Sequence, residues 1–170
     1  MWTAVLIMLG VLLVFVAAGI VFFVGMRTKS PPILNAVRRF NRRFTNPRAM
    51  KKAGAPGAYA AVVRHVGRTT GRRFETPVQV FPSEEGFVIA LPYGLQTDWL
   101  KNVLAAGFAT IVADGITYAI DRPELVPTAE AAPDLPDKER RTLRRFHVDR
   151  CLRVSRTARE EATPRAVVTS

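Results

Sequence analysis

The stretch "AYAAVVRHVGRTTGRRFETPVQVF", residues 58–81, decides the fold. Residues 58–66 are rich in Val and Ala and read as a strand, and 74–81 read as a second. Between them lies a turn with Gly67 and Gly71. Working outward, "PSEEG" (82–86) is turn chemistry and leads into a third strand, "FVIALPY" (87–93). Thr97 or Asp98 can cap a helix, "WLKNVLAAG", that stops at Gly107. "FATIVADGITYAI" follows, with Asp114-Gly115 joining two β-prone runs, a strong hairpin signal. "PELVP" (123–127) reads as a last strand, and a basic amphipathic helix is expected from near Pro136 past Phe146. Strands joined mainly by short turns favour an antiparallel sheet that closes on itself. The expectation is a mainly β (α+β) fold, a small barrel with one helix across an opening. No GxGxxG follows the first strand, so a dinucleotide-binding α/β unit has no support.

Upstream, residues 4–24, "AVLIMLGVLLVFVAAGIVFFV", carry no charge. At about 1.5 Å per residue, a helix of this length spans roughly 30 Å, the thickness of a bilayer's hydrocarbon core. Lys and Arg are absent before the run and abundant after it, which favours an uncleaved single-pass anchor over a signal peptide. The positive-inside rule then puts residues 27 onward in the cytoplasm. In "PPILNAVRRFNRRF", Ile33, Leu34, Val37, Phe40 and Phe44 recur at helical spacing with Arg38, Arg39, Arg42 and Arg43 around them. This stripe either packs on the domain or lies in the lipid interface. The expected organisation is a transmembrane anchor (1–26), a basic amphipathic juxtamembrane helix (27–52), the barrel with a C-terminal basic helix (53–159), and a flexible tail (160–170).

The net charge of +11 is unevenly spread. Residues 27–52 hold nine Lys/Arg and no acid, and 138–159 hold nine against two. Residues 53–127 hold six cations and seven acids. Four of those six, Arg64, Arg68, Arg72 and Arg73, crowd the opening stretch. The basic flanks lack aromatic stacking residues on a recognisable sheet, which argues against nucleic acid. One cysteine, Cys151, excludes an internal disulfide. Cys151, Leu152 and Val154 read as an apolar helical run, so Cys151 is assigned to core packing. His65 and His147 have no ligand spacing to each other, so no metal site is expected, and His65, inside a strand, reads as core or surface filler.

Backbone N–H groups of a glycine-containing turn can converge on an anion. Threonine hydroxyls add donors, and arginine adds a planar fork suited to phosphate or carboxylate. "GRTTGRR" offers all three, but the same composition suits a solvated hairpin tip. The residues alone leave both readings open.

"GRTTGRRFETPV", "GFVIALPYG" and "TDWLKNV", in this order, resemble the deazaflavin (coenzyme F420)-dependent nitroreductase and quinone reductase family, over roughly residues 55–127. The resemblance implies a split β-barrel of FMN-binding-like type and an oxidoreductase that passes a hydride from reduced F420 to a quinone-like or nitro-type acceptor, lipid-soluble or planar. It implies that Thr69, Thr70 and Gly71 hold the cofactor phosphate, with Arg68, Arg72 and Arg73 nearby. Thr76 and Pro77 would face the deazaflavin ring. Ala90, Pro92, Tyr93 and Gly94 would line it from the third strand, and Asp98 and Trp99 would contact it from the helix start. Tyr93 is a weak catalytic candidate, and Asn102 is assigned to the helix–strand junction. Many members have Lys where this chain has Thr69, so Arg72 or Arg73 would replace that cation. Some gather tyrosines in a C-terminal segment, whereas none follows Tyr118 here. Split barrels also host FMN and haem, so an FMN- or haem-binding protein, or a non-enzymatic membrane-associated binding module, is the alternative. A homodimer is left open.

Overall fold

The computed structural model describes residues 2–160. It contains one seven-stranded antiparallel sheet: β1 (Ala61–Val66), β2 (Arg73–Val78), β3 (Val80–Pro82), β4 (Gly86–Ala90), β5 (Phe108–Ala113), β6 (Ile116–Pro127) and β7 (Arg150–Glu160). The order across the sheet is β2-β1-β5-β6-β7-β4-β3. Its two edge strands, β2 and β3, are neighbours in sequence, separated only by Gln79. Residues 73–82 pair with β1 through their first half and with β4 through their second. A sheet whose opposite edges are one continuous stretch has to curl. Ala61, Val63, Phe87, Ile89, Ile111, Ile120, Leu152 and Val154, drawn from five strands, accordingly meet in one interior cluster. The mainly β half-barrel with flanking helices is as expected.

The second strand of the sequence reading is therefore two pairings. The third is shorter than expected and ends at Ala90. The hairpin forms at Asp114-Gly115, both at positive φ (53° and 77°), the combination of a type I′ turn. "PELVP" is not a separate strand. It continues β6 past a register shift between Asp121 and Glu124. Pro123 has no N–H to donate, and Arg122 before it takes a φ of 47°, so the ladder skips there and resumes.

Two more expectations are corrected. The basic helix α6 (Asp137–Arg145) stops at Phe146, and residues 150–156 are strand rather than helix. Both faces of β7 are buried: Leu152 and Val154 point into the barrel, and Cys151 points into an outer cluster. There it meets Leu135, Leu143 and Val148 beneath α5 (Thr128–Ala131) and α6. Burial pushes the Cys151 thiol up from its ordinary value, as suits a packing residue. The tail expected over 160–170 lies, from 161 on, outside the described residues.

α4 (Asp98–Ala106) packs its Leu100 and Val103 into the interior cluster and ends at Gly107 in the left-handed region (φ 78°). α1 (Trp2–Arg27) is long and apolar enough to cross a membrane. After Lys29, α2 (Pro31–Phe40) runs into a π-helical turn, Asn41–Thr45, and then α3 (Asn46–Ala49). The foot of α1 is tied to the end of α6. Arg27 and Lys29 donate to the carbonyls of Arg145 and Phe146 at 3.0 Å each, cations meeting carbonyls that a helix end leaves unpaired. The Phe23 ring meets Phe146 edge-on.

The β4–β7 seam allows no added atom at Gly86, which pairs with Ser155: a Cβ there would overlap the Val154 carbonyl. Gly86→Ala is expected to lower unfolding stability by about 1–3 kcal/mol, the range for forced overpacking. A lowered denaturant midpoint at unchanged slope checks this.

Candidate functional site

The turn between β1 and β2 is closed by its own backbone. Gly67 N–H donates to the Arg72 carbonyl and Gly71 N–H to the Gly67 carbonyl, each at 2.8 Å. The positive φ of Gly71 (66°) permits this closure. Arg72 N–H reaches Thr70 Oγ1 at 3.4 Å, and Arg68 N–H reaches Asn102 Oδ1 at 3.2 Å. Four of the six N–H groups over 67–72 are thus occupied, so the turn is not an open nest. Those of Thr69 and Thr70 have no partner among the described residues. Arg72 and Arg73 are exposed, with no acid paired to either there. What remains is a compact donor set: two N–H groups, the threonine hydroxyls and two free guanidinium groups.

This set is anchored from below by Asn102, which is only 5% exposed. Its Oδ1 accepts from both the Arg68 N–H and Arg68 Nη1, the latter at 2.9 Å. The amide nitrogen therefore faces His65, with Nδ2 3.1 Å from His65 Nδ1. An amide nitrogen only donates, so Nδ1 must accept, and the ring proton sits on Nε2. Nε2–H then donates to Thr76 Oγ1 at 3.2 Å. Thr76, with an acceptor position filled, has its own O–H free to donate. One polar chain thus runs from turn to helix to β1 to β2. His65 is 6% exposed and lies flat against Phe74. It is a core residue, one of the two expected readings, and its hydrogen bonds to Asn102 and Thr76 make it a structural hub. Burial lowers its pKa from the ordinary 6.5, partly opposed by the Asp98 carboxylate.

A second set of contacts joins the turn to the start of α4, and the segment after α1 to the start of α4 and the loop after β4. Arg68 Nη2 lies 3.8 Å from Asp98, which also takes Arg42 Nη2 at 2.8 Å. One helical turn earlier, Arg38 Nη2 donates to the Tyr93 carbonyl at 2.5 Å. α2 and its π-helical turn therefore lie along the same rim. Exposed ion pairs of this kind contribute little stability singly, about 0–1 kcal/mol. Their value here is positional.

Of the residues expected at the site, Arg68 and Asp98 meet at this rim, Thr69, Thr70, Gly71 and Arg72 belong to the same turn, Arg73 opens β2 after it, and Thr76 is linked to it through His65 and Asn102. The Tyr93 carbonyl and Gly94 border it through Arg38, with Pro92 next to them in the chain. Trp99 packs partly on the interior cluster. Ala90 packs towards the outer cluster instead. Thr76 pairs with interior-facing Val63, whereas Pro77 pairs with Val62 on the opposite face. Side chains alternate along a strand, so only a ligand lying along the free edge of β2 could touch both. Sequence reading missed His65, Arg38 and Arg42. His65 had a signal: it takes the inward position after Ala61 and Val63, where a polar group needs a partner. A cavity of about 300 Å³ opens at the other end of the barrel, lined by Tyr59, Val80, Phe87 and Tyr118 among others, and by none of the expected site residues. Among the described residues no His, Cys, Asp or Glu group is arranged to hold a metal ion.

No protein-family model matches the chain, and no curated protein matches it. Among solved structures, it is similar to one described as an F420 reductase, with 14% identity over 65% of this chain and 94% of that one and a TM-score of 0.45. It is also similar to the protein Atu2129 of Agrobacterium tumefaciens str. C58, of unknown function, with 14% identity over 62% and 53% of the two chains and a TM-score of 0.40.

The His65 contacts set a pH dependence. A base whose folded pKa is depressed binds its proton more readily when unfolded, so stability falls as pH drops below about 6.5 towards the lower folded value. Above that window this group contributes no slope. Urea unfolding at a series of pH values should show His65→Gln losing part of the wild-type slope there, by at most about 1.4 kcal/mol per pH unit. Identical slopes would show that His65 titrates alike folded and unfolded.

Proposed function

We propose that the chain is a membrane-anchored oxidoreductase that uses reduced F420 as hydride source for a lipid-soluble, quinone-like or nitro-type acceptor. The observation that carries this reading is the donor set at the β1–β2 turn, held rigid by Asn102 and left unpaired at its outer surface. Such a set suits an anion: rigid N–H groups provide direction and guanidinium groups provide charge. F420 carries a phosphate and an oligoglutamate tail, so it matches in sign, and the order of motifs along 55–127 supports the same choice. The residues fit the cofactor in this respect. Arg72, exposed in the same turn, and Arg73, exposed at the start of β2, would supply the cation that Thr69 lacks.

In this reading the Thr69 and Thr70 N–H groups and the Arg72 and Arg73 side chains hold the phosphate. The Thr76 hydroxyl, fixed by His65 as a donor, offers a hydrogen bond to an acceptor atom of a ring along the β2 edge. Pro92, Tyr93 and Gly94 bound the opposite side of the rim. When bound, the deazaflavin supplies the hydride chemistry, and the protein's part is orientation, electrostatics and exclusion of water. α1 supports membrane anchoring by length and composition. The nine cations after it support a cytoplasmic barrel. FMN shares the ring-and-phosphate outline and is the competing ligand.

Titration of the purified chain with F420 and with FMN tests the reading: F420 should bind the more tightly. Arg72→Glu with Arg73→Glu should weaken F420 binding by ~10- to 100-fold, the loss expected for hydrogen bonds to a charged group. The variant should stay membrane-bound through α1. Binding of FMN alone, or unchanged F420 affinity in the variant, would overturn the assignment of the turn.

A further inference from the structure

The basic segment after α1 divides its side chains by direction. Arg38 and Arg42, one helical turn apart, point at the barrel and hold the Tyr93 carbonyl and Asp98. Earlier on the same face, Leu34 is buried and Ile33 abuts Gly25 of α1. The apolar stripe seen in the sequence therefore splits. Its first half packs on the protein, and its second half does not. Phe40 and Phe44 are 59% and 45% exposed, and their rings touch each other at 5.1 Å between centroids. Arg39 and Arg43 stand beside them, also exposed and without an acid partner among the described residues. Two phenylalanines left about half in water are costly on a segment otherwise anchored to the protein.

We infer that Phe40, Phe44, Arg39 and Arg43 form a second membrane contact, a strip that seats on an anionic phospholipid leaflet. Two observations identify lipid as the occupant. The strip is continuous with a helix apolar enough to cross a bilayer, ending four residues before α2. It also lies in a 26-residue stretch with nine cations and no acid, complementary to a leaflet bearing phosphate headgroups. An aromatic pair with flanking arginines suits that interface, with rings among the acyl-chain ends and guanidinium groups on phosphates. The consequence for the site follows from the opposite face. Arg38 and Arg42 join the same segment to the rim of the arginine turn, so seating the strip holds that rim close to the bilayer, where a lipid-soluble acceptor is concentrated. The inference rests on the anchoring reading above, and the test separates the two.

The full-length chain, with Cys151→Ala, is labelled with a nitroxide at Phe44→Cys and reconstituted in phosphatidylcholine vesicles containing phosphatidylglycerol. Collision with a water-soluble nickel chelate is compared with that of labels at Leu12→Cys in α1 and at Phe108→Cys, an exposed site on β5. Labels at positions 12 and 44 should both be several-fold less accessible to nickel than the label at 108. Adding Arg39→Glu and Arg43→Glu should raise accessibility at 44 several-fold and leave 12 unchanged. A label at 44 as open as that at 108, with 12 shielded, overturns the strip and leaves the anchor standing. An open label at 12 overturns both. Protection at 44 that ignores the charge reversals overturns the role given to the arginines. A Phe44→Trp chain read by brominated-lipid quenching, as a difference from the parent, gives the same reading with Cys151 intact.

Discussion

One stretch of ten residues, 73–82, serves both edges of the sheet, and the rest of the architecture follows from that constraint. Because β2 and β3 are the same run of chain changing partners at Gln79, the sheet closes around a single core and has two distinct ends. The β1–β2 turn falls at one end and the cavity lined by Tyr59 and Tyr118 at the other. α4 covers the first end, and Asn102 stands where it faces both the turn and the inward side of β1. A buried carboxamide has to be satisfied on both its oxygen and its nitrogen. Here Arg68 takes one side and His65 the other. That requirement sets the turn's position, the imidazole's tautomer and the direction of the Thr76 hydroxyl together.

The same rim is approached from outside by the juxtamembrane segment. Surface arginines are weak stabilisers, yet Arg38 and Arg42 repeat at helical spacing and meet two successive points of the rim. The foot of α1 is fixed separately, on the end of α6. The N-terminal helical segment, residues 2–49, is therefore attached to the rest of the protein at two places on different elements. The proposed function draws on this geometry: a site for an anionic cofactor beside the element that leads to the membrane.

Much of this was legible in the sequence, and the failures have physical reasons. β-prone runs bounded by turn chemistry located β1, β2, β4 and the Asp114-Gly115 hairpin, and a glycine, left-handed in the structure, marked the end of α4. β7 was read as helix because it is buried on both faces. Cys151, Leu152 and Val154 are all inside, on two sides of the sheet, so no alternation survives to separate strand from helix. The continuation of β6 was hidden by Pro123, which ordinarily ends a strand but here sits at a bulge. At the site, residue types and order gave the turn, but not which of its N–H groups were already used within it. That depends on the closure at Gly71 and on Asn102, contacts 34 residues apart in sequence. His65 was undervalued because one residue's partners cannot be read from its own strand.

The central claim is that Asn102 and His65 form one satisfied polar chain holding the arginine turn to the barrel. Nitrogen-15 NMR of the imidazole rings, with His147 as internal reference, tests it most directly. The account predicts that near neutral pH His65 is neutral, unprotonated at Nδ1 and protonated at Nε2, and that it resists protonation below its ordinary 6.5. A proton on Nδ1, or a ring that titrates at or above that value, would contradict it.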